Sequence, residues 1–236
     1  MKMHVGVTDG YWYNFLKERE ASEVNFWKPS AKSFKALNQN DLFLFKLHSP
    51  NNFIVGGGFF VYYSILPTFL AWQAFEKNNG AETYDEMLSQ LLRYRTRNNM
   101  NNMDIGCIIL TDVFYFEQND WIPVPSDWSS NIVSGKSYTL ETQTGKTLFR
   151  QVEERRHVLA SHNNNLDNVS LVAESVQYYQ TMTKHRIGQG AFRVLVTDAY
   201  KRRCSITGEK TLPVLEAAHV KPVSQDGPQI LKMDCC

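Results

Sequence analysis

The stretch DLFLFKLHSPNNFIVGGGFFVYYSIL, residues 41–66, constrains the fold more than any other part of the chain. Leu42, Leu44 and Lys46 alternate with Phe43, Phe45 and Leu47, the period-two pattern of a strand with at least one buried face. Pro50-Asn51-Asn52 supplies a turn, and the apolar run beyond it reads as a second strand, so the pair predicts a β-hairpin. Gly56, Gly57 and Gly58 interrupt that second strand. They weaken it unless a bulge, or a closely approaching backbone or ligand, needs the space.

Short elements flank the hairpin. MHVGV predicts a strand that ends at Thr8-Asp9-Gly10, and that triplet serves as a turn and as the N-cap of a helix through YWYNFLKERE. Pro29 interrupts the next stretch, after which SAKSFKAL predicts a short helix. PTFLAWQAFEKNNGA carries Pro67 near its start and Asn-Gly past its end, as a helix should. TYDEMLSQLLRYRTR predicts a second helix with Met87, Leu91 and Tyr94 on one face. IGCIILTDVFYF predicts a buried strand, WIPVPSDW irregular chain, and SYTLET one more short strand. From Gly145 to about Thr183 periodicity is weak, with VEERRHVLA and LVAESVQYYQ as helical pieces of a connector. GAFRVLVTDAY has helical spacing, and RRCSITGEKTLPVLEAAHV predicts two strands around a Gly208-Glu209-Lys210 turn. The domains expected are residues 1–150, a connector over 151–183, and a C-terminal unit over 184–236.

Lys and Arg number 25 against 24 Asp and Glu, so no global basic field draws the chain to nucleic acid. Any such binding needs a local patch. Cys107, Cys204, Cys235 and Cys236 form no CxxC pair and no disulfide framework, so structural zinc is not expected. No apolar run reaches the roughly 18 residues that span a bilayer, and the N-terminus lacks a signal peptide's apolar block. A soluble, cytoplasmic protein without membrane partners is the expectation.

Charge concentrates near the C-terminus. Six Lys or Arg (Lys184, Arg186, Arg193, Lys201, Arg202, Arg203) stand against one acid, Asp198. The bland reading is a solvated helix face. The run R-x-G-Q-G-A-F-R…Y-K-R-R-C-S-I-T-G-E…L-E-A-A-H-V-K-P, Arg186 to Pro222, resembles the opening of the HNH endonuclease domain of bacterial restriction type. That resemblance implies a β-hairpin and a helix around one divalent cation such as Mg²⁺, with His219 as general base for phosphodiester hydrolysis. Glu216 is the nearest acid to the base and a weak metal ligand, two residues off the family's usual pairing. Arg202 and Lys221 would contact phosphate, with Arg193 and Arg203 in the same basic patch. Cutting both strands would call for a homodimer.

Beyond Pro222 this subgroup supplies an Asn and a last His, where the present chain reads GPQILKMDCC. QILKMDCC can be encoded so that reading from its third base gives Asp-Thr-Lys-Asn-Gly-Leu-Leu, the family's next motif. A shifted reading frame, and with it a catalytically incomplete chain, is the expectation that the gene's codons test.

Toward the N-terminus, the strand with its Thr-Asp turn, N-F-W-K-P, N-D-L-F-L-F-K-L-H-S-P and I-V-G-G-G-F-F resemble PUA-superfamily domains of EVE or ASCH type. In those domains the last two motifs mark neighbouring barrel strands. The implied fold class is α+β: a PUA-like small β-barrel with a helical insertion over Pro67 to Arg97, a connector, and a partial HNH unit. The implied partner is DNA, with a modified base as the feature read, or RNA. Base readers stack the base on aromatic faces and read its edge with polar groups. Trp12 and Trp27 are the stacking candidates, although a tryptophan in such a place is more often core. Lys46, His48 and Ser49 sit at the hairpin's end, Thr8 and Asp9 at the strand-to-helix mouth. Trp72, Phe75 and Phe114 to Phe116 read as core. Three functions therefore compete: an HNH-type endonuclease targeted by a base-sensing domain, a non-catalytic nucleic-acid reader with a vestigial nuclease segment, and a toxin or homing-type nuclease whose N-terminal domain binds protein.

Overall fold

The computed structural model describes residues 1–95, 103–163, 187–204, 206–210, 217–219 and 233–234, with the backbone alone at 218–219 and 233–234. It is a mixed α+β protein. Strands β1 (Lys2–Thr8), β2 (Glu23–Lys28), β3 (Leu42–Leu47), β4 (Phe53–Pro67), β5 (Asp104–Tyr115), β6 (Ile122–Pro123) and β7 (Gly135–Thr139) make one sheet of seven strands. Its order is β2-β5-β4-β3-β1-β7, with β6 paired to β4. The helices are α1 (Gly10–Glu18), α2 (Thr68–Phe75), α3 (Tyr84–Arg93), α4 (Gln143–Asn163) and α5 (Gln189–Ala199). A separate pair joins β8 (Ala218–His219) to β9 (Met233–Asp234).

The chain divides into two units that interleave along the sequence. The first holds Met1–Ser22, Lys35–Phe60 and Thr111–Arg186; the second holds Glu23–Phe34, Val61–Leu110 and Ile187–Cys236.

In the first unit the predicted hairpin is present, with β3 antiparallel to β4 and parallel to β1. The register shifts between Phe45 and Lys46: Phe45 opposes Gly56, Lys46 opposes Ile54, and Val55 is the extra residue of a bulge. A Cβ on Gly56 would run into the Phe114 carbonyl oxygen, and one on Gly57 would lie 2.5 Å from the Phe43 oxygen. Backbone on both sides of β4 therefore requires those two glycines. All six residues of β3 are buried, so both its faces are covered. Leu42 and Leu44 join Met3, Val5, Ile54, Phe59, Phe116, Ile122 and Tyr138 in a core. Leu148, Phe149 and Val152 of α4 close that core. On the other face Trp12 of α1 meets the Phe45 ring edge-on at 5.2 Å. The predicted cap is in place: Asp9 Oδ1 accepts the Trp12 N–H at 2.8 Å. The Tyr13 hydroxyl lies 3.0 Å from the carbonyl oxygens of both Val55 and Phe116, pinning α1 at the bulge.

The second unit packs α2, α3 and α5 with the remaining strand segments around Val61, Leu66, Phe75, Met87, Leu91, Ile105, Cys107, Ile109 and Val194. Burial pushes the Cys107 thiol up to about 12, so it behaves as a small apolar core residue.

Three predicted elements differ. Residues 30–37 form no helix, because Glu23–Lys28 takes strand pairing and the chain then crosses as irregular backbone before β3. The weakly periodic stretch after Gly145 is helical through Asn163, for tertiary burial of three apolar residues outweighs a surface of mixed charge. Among the described residues no strand precedes the Gly208 turn, and Ala218–His219 pairs instead with Met233–Asp234.

Candidate nucleic-acid interface

Lys46 lies on the same strand face as Leu42 and Leu44, at the end of the first unit's core. It is only 4% exposed. Its ammonium donates to Asn52 Oδ1 at 2.6 Å and stands 5.3 Å over the Trp128 ring. No carboxylate pairs with it among the described residues. Burial holds its pKa below the usual lysine value, which marks a charge that folding has not compensated. Asn52 follows the hairpin turn at φ 50°, a left-handed conformation that asparagine tolerates, and this sets its amide toward Lys46. Trp128 is half-buried and packs against the end of the core.

The surrounding candidates divide clearly. His48 and Ser49 are exposed at the turn, and the His48 N–H donates to the Thr8 carbonyl at 3.1 Å, tying the hairpin end to the end of β1. Thr8 is buried and Asp9 serves as helix cap. Trp12 is 4% exposed and lies on the opposite face of β3, leaving no ring face for a base. Trp27 belongs to the second unit, where its indole N–H donates to the Asn79 carbonyl at 3.0 Å and its ring meets Tyr94 edge-on. The aromatic that stands beside Lys46 is Trp128, which pattern reasoning passed over. Its one sequence signal is a tryptophan between prolines and serines, in chain with no periodicity to bury it.

The basic run near the C-terminus behaves differently. Arg193 donates to the Gln73 carbonyl at 3.1 Å. Arg202 donates to the Ile65 carbonyl at 2.5 Å and to Asp198 Oδ1 at 3.2 Å, while the Ser64 hydroxyl donates to Asp198 Oδ2 at 2.6 Å. Lys201 and Arg202 take φ of 54° and 57°, a strained left-handed pair at the end of α5 that these bonds hold in place. Arg203 is exposed.

The glycines of G-Q-G-A-F-R have packing roles. A Cβ on Gly188 would meet the Glu23 carboxyl group, and one on Gly190 would lie 2.5 Å from the Phe75 ring. Glu23 in turn accepts the N–H groups of Gly190 and Ala191 at 3.0 and 2.9 Å, capping α5 from another element. Burial raises the Glu23 carboxyl above its ordinary value, against the pull of those two bonds. Cys204 and the described residues Ile206 to Glu209 close on one another: the Gly208 N–H donates to the Cys204 carbonyl at 3.1 Å, the Cys204 N–H to the Glu209 carbonyl at 2.8 Å, and Gly208 takes φ 72°. Hydrogen bonds from Thr207 hold the Cys204 thiol below the usual value.

Glu216, Lys221 and Lys184 lie outside the described residues, as does the side chain of His219. Among the described residues no group of three or more His, Cys, Asp or Glu could hold a metal ion. No helix among them is long and apolar enough to cross a membrane.

No protein-family model matches the chain, and no curated protein matches it. Among solved structures, the crystal structure of a mutant of ZmASCH from Zymomonas mobilis superposes with a TM-score of 0.45 at 8% identity, over 63% of this chain and 97% of that one. A likeness that loose carries no argument about fold or function.

Proposed function

We propose that the first unit is a PUA-like module that binds nucleic acid, taking an unpaired nucleotide at the Lys46–Trp128 end of its core. The observation that carries this reading is the buried Lys46 ammonium, held between an amide oxygen and an indole face with no carboxylate among the described residues to neutralise it. Such a charge opposes folding, whereas an arriving phosphate or base carbonyl oxygen would compensate it. Trp128 adds a face on which a base can stack, a contribution of about 1–3 kcal/mol. The motifs that resemble EVE and ASCH domains support the module: they fall on β3 and β4, hydrogen-bonded neighbours as the resemblance implies.

The test is titration of the full chain with labelled single-stranded RNA, single-stranded DNA and duplexes, plain and cytosine-modified. Lys46→Met should weaken the preferred ligand at least tenfold, about 1.4 kcal/mol. Equal affinity of Lys46→Met and the unchanged chain for all of them would sink the reading.

The hydrolytic reading rests on the run from Arg186 to Pro222 alone, with His219 as base and Mg²⁺ as the cofactor. Plasmid nicking in Mg²⁺ that His219→Ala abolishes would establish it.

A further inference from the structure

Trp128 sits on the chain between β6 and β7, most of whose residues are exposed or half-buried. Its backbone N–H donates to the Pro125 carbonyl at 2.9 Å, a local turn that by itself does not aim the ring. The residue before it is tied far more firmly. Asp127 Oδ1 accepts the Tyr138 hydroxyl at 3.0 Å, and Asp127 Oδ2 accepts the Lys136 ammonium at 2.7 Å. Lys136 reaches the Asp127 carbonyl oxygen as well, at 2.8 Å, and its ammonium stands 5.0 Å over the Tyr138 ring. Tyr138 is 4% exposed and belongs to the core beneath. A half-exposed carboxylate is thus bonded to two side chains of β7, one of them anchored in the core, directly beside the tryptophan that faces Lys46.

We infer that Asp127 is a positioning residue: its latch to Tyr138 and Lys136 holds Trp128 over Lys46 and so sets the affinity of the nucleotide site. The inference rests on the reading of Lys46 and Trp128 as that site, and names what regulates its geometry. Asp127 touches no ligand in this scheme; it acts through Trp128.

Two effects of Asp127 oppose each other in sign, and this makes the inference testable. As a bare negative charge near a phosphate-binding site it would weaken binding, so its removal would tighten the complex. As a latch it preorganises the stacking face, so its removal loosens the complex.

The experiment uses the full chain and a labelled single-stranded oligonucleotide of mixed sequence, with Kd measured across a salt series. Asp127→Ala should weaken binding about five- to tenfold. The slope of log Kd against log salt should stay unchanged, because no phosphate contact is lost. Asp127→Glu should recover part of the loss, since it restores a carboxylate. Tyr138→Phe keeps the core ring and deletes one bond of the latch; it should weaken binding about two- to threefold alone and add nothing once Asp127 is alanine.

Affinity of Asp127→Ala equal to or tighter than the unchanged chain, with Trp128→Ala still weakened, would overturn the latch and leave the site standing. If neither Trp128→Ala nor Lys46→Met changes binding, site and latch fall together. Circular dichroism on each variant separates loss of aim from loss of fold.

Discussion

Lys46 and Arg202 are both cations bonded within the fold, and the fold treats them in opposite ways. Arg202, just past the end of α5, is bonded to the Asp198 carboxylate of that helix and to the Ile65 carbonyl, and Arg193 donates to the Gln73 carbonyl. Lys46 has an amide oxygen and an aromatic ring, neither of which carries charge. Counting charges along the chain would rank the C-terminal run first as a binding patch. Asking what each cation is bonded to reverses the ranking, because a guanidinium already spent on protein carbonyls offers little to a phosphate.

If the C-terminal segment is a docking element, damage there should appear as lost stability. The largest effect is expected from Gly190→Val, whose new methyl groups meet the Phe75 ring and the Ala74 carbonyl oxygen; urea unfolding should report a loss of about 3 kcal/mol. Arg202→Met removes the donor to the Ile65 carbonyl and to Asp198 Oδ1, leaving Asp198 only its bond from Ser64, and should lose about 2 kcal/mol with oligonucleotide affinity unchanged. A variant that kept full stability and lost binding would break the comparison from that side.

Glu23 gives a smaller, pH-dependent effect. Its carboxyl is raised in the folded protein above the ordinary value of 4.5, so the folded state holds its proton more tightly than the unfolded chain. That contribution is fully present below 4.5 and fades as pH rises through the raised value. Unfolding midpoints across this window should fall with pH in the unchanged chain, and the slope should flatten in Glu23→Gln. The smallest change in stability is expected at the functional end: Lys46→Met removes an uncompensated buried charge, and its thermal midpoint should hold or rise slightly. A large drop would mean that Lys46 is structural, and the contrast with Arg202 would be lost.

The hairpin was legible because period-two alternation and a Pro-Asn-Asn turn are local signals. The cap at Asp9 and the helices after Pro67 and Thr83 were legible for the same reason. Helix α4 was not, since its apolar residues gain their burial only when the core is assembled. Residues 30–37 looked helical by composition, yet the segment is consumed in linking a strand to its neighbour. At the candidate site Lys46 could be named from its place in the alternation. Trp128 could not, because it lies 82 positions from the lysine and nothing in its own neighbourhood fixes where its ring goes. The glycine-rich run before α5 was legible as a motif, while its fit against Glu23 and Phe75 needed coordinates.

The bond from Glu23 to the start of α5 joins residues 167 and 168 positions apart. During synthesis Glu23 leaves the ribosome well before its partners, which follow 167 and 168 positions later. Closing so long a loop adds entropy cost slowly with length but cannot happen before both ends exist. Through that interval the carboxylate remains in water, fully ionised and easily kept there. Docking of α5 onto Glu23 therefore waits for residues 190 and 191, and the state of the Glu23 carboxylate records whether it has happened.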